Sequence, residues 1–181
     1  MSTPLDHITP ELETWLASQH MFFVATAPVS PDAHINCSPK GLDAFRVLGP
    51  HAVAFLDVTG SGAETIAHVR ENGRILFMFC AFTGAPRIIR LHGRGQVLTP
   101  DAPEWPALYA QFTPHPSARA IIRVDVTRVS ESCGWGVPLF EFKESRSSLT
   151  RWAETKGPEG LKDYQGRKNR RSIDGLPALD S

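Results

Sequence analysis

Hydrophobic residues along this chain recur mostly at every second position, in short runs punctuated by glycine, proline and polar residues, which is the period of extended strands. Strands are expected at about Met21 to Ala27, His34 to Pro39, Ala44 to Leu48, Ala52 to Asp57, Arg74 to Phe82, Arg87 to Leu98 and Ala120 to Val129. Their density argues for an antiparallel sheet, closed into a β-barrel. Between Arg87 and Leu98, residues Ile89, Leu91, Gly93, Gly95 and Val97 share one face, and Arg90, His92, Arg94 and Gln96 share the other. That cationic face is either solvated or meets an anionic group. Ile122, Val124 and Val126 alternate with Arg123, Asp125 and Thr127, and Arg123 and Asp125 are expected to pair across strands. The run Ile75 to Phe82 is apolar throughout, so it should be covered on both faces, by barrel core on one side and by a helix or a partner subunit on the other.

The helical period is confined to short stretches. Thr9 as N-cap, Pro10 at the first helical position and a stripe of Leu12, Trp15 and Leu16 predict a helix to about Gln19. A second follows Asp101, with Trp105, Leu108, Tyr109 and Phe112 on one face as packing residues. Ser148 is expected to cap a short helix through Lys156 with Gly157 as its stop, and a polar tail follows. The chain thus divides into residues 1–147, a barrel with an N-terminal helix, and residues 148–181, a short helix and polar C-terminal tail with little share in the core.

Composition narrows the function classes. The formal charge is zero with 21% charged residues, so neither nucleic acid nor a membrane is expected as partner. The cluster Arg167, Lys168, Arg170 and Arg171 is read as part of a solvated tail. Three widely spaced cysteines, Cys37, Cys80 and Cys133, form neither a disulfide framework nor a CxxC motif, which fits a reducing compartment. No signal pattern opens the chain and no apolar run is long enough to span a bilayer, so a cytoplasmic location is expected. The histidines show no metal-ligand spacing, and no metal is expected. There is no GxGxxG unit, Walker loop, HExxH or GxSxG elbow, which removes Rossmann, kinase, zinc-protease and hydrolase readings.

One segment carries candidate chemistry. Asn36-Cys37-Ser38-Pro39-Lys40-Gly41 ends a strand on a lysine, and the apolar run Ala52 to Leu56 leads into Thr59-Gly60-Ser61-Gly62-Ala63-Glu64. Ser61 and Glu64 stand three apart as a capping box opening a helix. Free first-turn amides, small glycines and the charge of Lys40 together fit an anion site, probed most naturally by a phosphate, although capping alone would explain the same residues.

The stretches INCSPKG, AFLDVTGSGAET, NGRILFMFCAF and PRIIRLHGRGQVL resemble the core of the pyridoxamine 5'-phosphate oxidase-like proteins, over roughly residues 20 to 140. The resemblance implies a mainly β fold with peripheral helices, an antiparallel FMN-binding split β-barrel that works as a homodimer. It further implies that Asn36, Cys37, Ser38 and Lys40 line a contact strand, that Asp57, Ser61 and Gly62 lie near the flavin or its phosphate, and that Arg87 falls near a ring contact. Trp135, set between glycines, either faces the isoalloxazine or substrate opening or plugs the barrel end. Two departures remain: Gly62 and Ala63 stand where the oxidases proper carry an arginine-lysine pair, and their arginine- and tryptophan-bearing C-terminal signature is missing. Vitamin B6 oxidation is therefore not implied. The expected activity is FMN-dependent oxidoreduction of a small organic substrate, with the chemistry in the flavin and no side chain assigned as catalyst. A non-catalytic flavin carrier, an F420- or haem-binding split barrel, and a nucleic-acid-binding barrel are the competing readings.

Overall fold

The computed structural model describes residues 3–180. In chain order the elements are β1 (Thr3–Leu5), α1 (Pro10–Ala17), β2 (Phe22–Thr26), β3 (Asn36–Lys40), β4 (Phe45–Gly49), β5 (Ala52–Val58), α2 (Glu64–Asn72), β6 (Arg74–Cys80), β7 (Ile88–Leu98), α3 (Trp105–Tyr109), β8 (Ala118–Ser132) and α4 (Ser148–Lys168). The strands form a single sheet in the order β3-β2-β6-β7-β8-β5-β4, with β1 added to β8, and every pairing is antiparallel.

Curling of this sheet makes the barrel. β2 and β4 lie near opposite ends of the strand order, yet the rings of Phe22 and Phe45 sit 5.4 Å apart and Phe45 also meets Phe77 and Phe79. Tilted and edge-on pairs of this kind suit aromatic quadrupoles and fill the interior with large side chains. Leu12 and Leu16 of α1 join the same buried cluster, and α1 keeps the cap expected of Thr9, whose hydroxyl accepts from the Leu12 amide at 3.2 Å. β5 is buried on both faces, because Val53 and Phe55 face the interior while Ala54 and Leu56 lie under Phe112 and the α3 segment.

Two expectations about faces change. In β6 the inner row, Ile75, Phe77 and Phe79, is buried, whereas on the other row only Cys80 is, and Leu76 and Met78 stay half-exposed, as do Phe23 and Ala25 on the neighbouring strand. Among the described residues, nothing within the chain fully covers Leu76 and Met78. Arg123 and Asp125 do pair, at 3.1 Å, but with each other along β8 rather than across strands, since both stand on its outer face.

The C-terminal segment departs most from expectation. Gly157, at φ 65°, ends the first helical stretch, but the helix resumes and runs to Lys168. Its N-cap is Ser147, without a side-chain cap bond, so Ser148 does not cap it. The tail then folds back onto the barrel: Leu161, Asn169, Ser172 and Ala178 are buried, and Leu176 and Leu179 pack on the main core. Its anchors are mostly polar, including Arg70 to Asp180 at 2.8 Å and His34 to Asp174 at 2.7 Å, which is why a search for apolar periodicity reads the segment as solvated. Ile173, in the same tail, is 71% exposed. Among the described residues no helix is long and apolar enough to cross a membrane.

Candidate functional site

β3 is an edge strand, and its register decides which of its residues converge. Lys40 pairs with Phe22, Ser38 with Val24 and Asn36 with Thr26, so these three share the inward row of β2, while Cys37 and Pro39 point to the outer face and are exposed. The four contact residues expected of this strand therefore separate into three on one face and Cys37 on the other.

Asn36 is locked in place. Its Nδ2 donates to Thr26 Oγ1 at 3.2 Å and to Thr65 Oγ1 at 3.1 Å, and its Oδ1 accepts from the Ser38 hydroxyl at 2.9 Å. Thr26 Oγ1 also lies 3.0 Å from Nδ1 of His68, a residue with no exposed surface. The pattern closes when the Thr26 hydroxyl donates to Nδ1, which leaves the His68 proton on Nε2, a buried atom without a partner. Burial pushes the His68 pKa down, against the opposing pull of Glu64, Glu71 and Asp174, and the ring is held neutral.

The second group is ionic. Asp57, on the same face of β5 as Phe55, is 1% exposed and receives Lys40 Nζ at 3.2 Å on one oxygen and Arg119 Nε at 2.8 Å on the other. Arg119 reaches it because β8 bulges against β5: Asp57 pairs with Ala120 and Val58 with Ala118, leaving Arg119 outside the ladder and re-aimed inward. Burial alone would raise the Asp57 pKa, but the charges of Arg119 and Lys40 outweigh it and hold the carboxyl below its ordinary value. The group is thus two cations on one anion. Its surplus charge lies at Lys40, whose side chain is 23% exposed against 5% for Arg119.

The glycine-rich turn is organised differently from the sequence reading. The N-cap of α2 is Ala63 and no side chain caps the helix, so the Ser61–Glu64 capping box is not formed. Ser61 is exposed, and Glu64, at the first helical position, instead accepts the Ile173 amide at 3.2 Å from the folded-back tail. The Glu64 carboxylate leans over Gly62 so closely that any side chain at Gly62 would run into it. The carbonyl oxygens of Gly60 and Gly62 accept from Asn169 at 3.0 Å and from Arg119 at 2.9 Å. The carbonyls of this turn are thus taken by donors from Asn169 and Arg119, and a carboxylate lies over Gly62.

Arg87 and Trp135 stand outside both groups. Arg87 pairs with Glu131 at 2.7 Å and lies 5.0 Å over the ring of Trp15. Trp135 is 83% exposed and plugs nothing. The residues that sequence reasoning missed are Arg119, Thr65, His68 and Asn169. Arg119 carried a signal, as the lone charge in the apolar run Ala118 to Ile122, whereas Asn169 had none. Beside Lys40 a cleft of about 580 Å³ opens between the end of α1, the end of β3 and the segment 140–149.

Comparison with known proteins agrees with this architecture. The profile of the family described as pyridoxamine 5'-phosphate oxidase matches residues 8–133. A protein of Aspergillus flavus, the pyridoxamine 5'-phosphate oxidase family protein ustO, is 40% identical over 193 aligned positions, covering 97% of this chain and 77% of the relative. Among solved structures, HupZ of Group A Streptococcus superposes with a TM-score of 0.53 at 22% identity, over 67% of this chain and 91% of that one. A candidate pyridoxamine 5'-phosphate oxidase of Lactobacillus delbrueckii gives 0.54 at 19% identity, over 71% and 98% respectively. These two likenesses establish a shared fold.

Proposed function

The chain belongs to the pyridoxamine 5'-phosphate oxidase family, and on that premise we propose that it is a cytoplasmic FMN-binding homodimer that carries out flavin-dependent oxidoreduction of a small organic substrate. The observation that carries this reading is the surplus positive charge at the barrel lip: Asp57 neutralises only one of Lys40 and Arg119, and the exposed end of the group is Lys40. An ammonium has three donors, and Asp57 takes one of them. The cofactor's anionic phosphate or its electron-poor ring fits such a lip, with Ser38 and Asn36 on the same row as further polar contacts.

The fit is uneven. Lys40, Ser38 and Asn36 suit the group, but at the turn of Ser61 and Gly62 the Glu64 carboxylate, itself engaged by the Ile173 amide of the tail, lies over Gly62 and opposes a second anion there. In this proposal the phosphate is therefore gripped from β3 rather than from α2, with Asp57 acting as the anchor that aims Lys40. Cys37 on the outer face, with Arg87 and Trp135 away from the lip, would contact the cofactor only from a second copy. The half-exposed strip of Phe23, Ala25, Leu76 and Met78 supports such a copy, since it leaves apolar surface on a sheet face that the described residues of the chain do not cover. When bound, the flavin supplies the electron-transfer chemistry itself, and the chain's residues hold it, orient it and exclude water.

The test is the absorbance of freshly purified protein, with the chromophore released by denaturation and identified by mass. FMN supports the reading, F420 or a Soret band redirects it, and a colourless protein that also refuses added FMN overturns it. Lys40→Ala is expected to weaken FMN binding by about tenfold, the worth of one charge-assisted hydrogen bond, while the dimer persists in sedimentation.

A further inference from the structure

β3 and β4 follow one another in the chain yet stand at opposite ends of the strand order, so no hydrogen-bond ladder joins them. The barrel has a seam there. Each bank is fixed on its own side: Lys40, the last residue of β3, is in register with Phe22 of β2, and the Ala44 carbonyl accepts from the Leu56 amide of β5 at 2.8 Å. Gly41, Leu42 and Asp43 carry the chain from one bank to the other.

The crossing is made in a conformation its residues disfavour. Leu42 and Asp43, at φ 62° and 55°, are the non-glycine residues of positive φ among the described residues, and they are adjacent. Two successive left-handed residues form a pattern that asparagine and glycine usually fill, because a Cβ crowds the neighbouring carbonyl oxygen there. No hairpin twist selects the pattern here, since β3 and β4 are unpaired. Gly41 precedes the pair and has its own reason, as a Cβ on it would come within 3.3 Å of the His20 carbonyl oxygen. The conformation is held from outside: Arg46 donates to the two carboxylate oxygens of Asp43 at 2.9 and 2.8 Å and to its carbonyl at 3.0 Å. Arg46 Nε is in turn tied to the Gln111 carbonyl at 2.7 Å. Backbone strain that its surroundings enforce in this way points to a functional constraint.

A second crossing of the seam shows what is constrained. Lys40 Nζ reaches Asp57 of β5 at 3.2 Å and lies 5.6 Å over the ring of Phe55. The covalent crossing and the ionic one span the same gap. Relaxing Leu42 and Asp43 to negative φ would redirect the chain and shift the end of β3 relative to β5, and the ammonium would lose a carboxylate that is buried and cannot follow it.

We propose that the left-handed Leu42–Asp43 turn, held by Arg46, sets the width of the seam between β3 and β4 and so places Lys40 on Asp57. Leu42, Asp43 and Arg46 are positioning residues that act through Lys40. Resting on the flavin reading above, they govern how firmly the cationic lip grips the cofactor.

The experiment separates backbone conformation from packing. Leu42→Val keeps an apolar side chain but is β-branched and resists positive φ, whereas Leu42→Asn gives up the apolar side chain and accepts it. Each is made in the full chain and again in Lys40→Gln, and all are melted. Leu42→Val is expected to lower Tm more than Leu42→Asn, and about half or more of its loss to vanish in the Lys40→Gln background, as it should for residues that act through one contact. Asp43→Ala and Asp43→Gly both lose the Arg46 clamp and differ in their tolerance of positive φ, so the alanine variant is expected to melt lower. Leu42→Val and Asp43→Ala are expected to weaken FMN binding about tenfold, as Lys40→Ala does, and Leu42→Asn by less than about threefold. Asparagine as damaging as valine at Leu42, or a valine loss of equal size in both backgrounds, overturns the proposal. Asp43→Gly melting at or below Asp43→Ala overturns it independently, as does an unchanged FMN affinity in Leu42→Val where Lys40→Ala weakens it. A parent that binds no FMN, with the thermal pattern intact, sinks the flavin reading and leaves the hold of the turn on Lys40 standing.

Discussion

Asp57→Asn is the substitution whose effect the structure defines most sharply. The carboxylate is 1% exposed and joins two cations, at 2.8 Å to Arg119 and 3.2 Å to Lys40. Asparagine has nearly the same shape but no charge, so Arg119, enclosed and held in place by the β-bulge, would be left as a buried cation without a counter-ion. Breaking a buried pair in this way costs about 3–5 kcal/mol. With an unfolding entropy of about 2.1 cal/mol/K per residue over the 181 residues, that loss lowers Tm by about 8–13 °C. Circular dichroism melts of parent and variant at neutral pH measure it. The pH dependence gives a second readout. Because the folded carboxyl titrates below its ordinary value, its contribution is complete above the unfolded value of about 3.9 and disappears as pH falls below that through the lowered folded value. The parent should therefore lose more stability than Asp57→Asn in that acid window. Removing the stranded cation as well, in Asp57→Asn/Arg119→Met, should recover part of the loss. A single variant melting within about 2 °C of the parent, well under the shift expected, with an unchanged acid limb, would refute the view that Asp57 holds two cations.

Two further outcomes follow from the buried network and the tail. His68 is expected to stay neutral, with its proton on Nε2, as pH falls past about 6.5, so stability declines on acidification because only the unfolded chain takes up the proton; a nitrogen-detected NMR titration showing a charged ring or an Nδ1 proton at mildly acidic pH contradicts this. Asn169→Ala removes the donor to the Gly60 carbonyl and should cost about 1–3 kcal/mol. It should also speed tryptic cleavage at the end of α4, and an unchanged digestion rate would mean that the tail is held by other contacts.

The strands were legible because alternation is a local property. β2, β5 and β7 each fall within a residue or two of their expected bounds, since buried and exposed rows must alternate wherever one sheet face meets a core. The site was only partly legible. Asn36, Ser38 and Lys40 could be named from one segment, but their separation from Cys37 required the register on β2, and the role of Asp57 required a residue contributed by a bulge more than sixty positions away. The capping box failed for a similar reason: Ser61 and Glu64 have the right spacing, but Glu64 is engaged by the Ile173 amide, a partner that sequence spacing cannot reveal.

By itself, then, the amino-acid sequence determined the antiparallel strands, the first helix with its Thr9 cap, and the family, because periodicity, capping and motif spacing are carried by near neighbours along the chain. Only the tertiary structure decided which charges meet. The curl of the sheet brings Phe22 to Phe45, the β8 bulge turns Arg119 onto Asp57, and the tail returns to set Asn169 against the glycine turn. Those contacts join residues far apart in sequence, and their energy comes from burial and pairing that exist only once the barrel has closed.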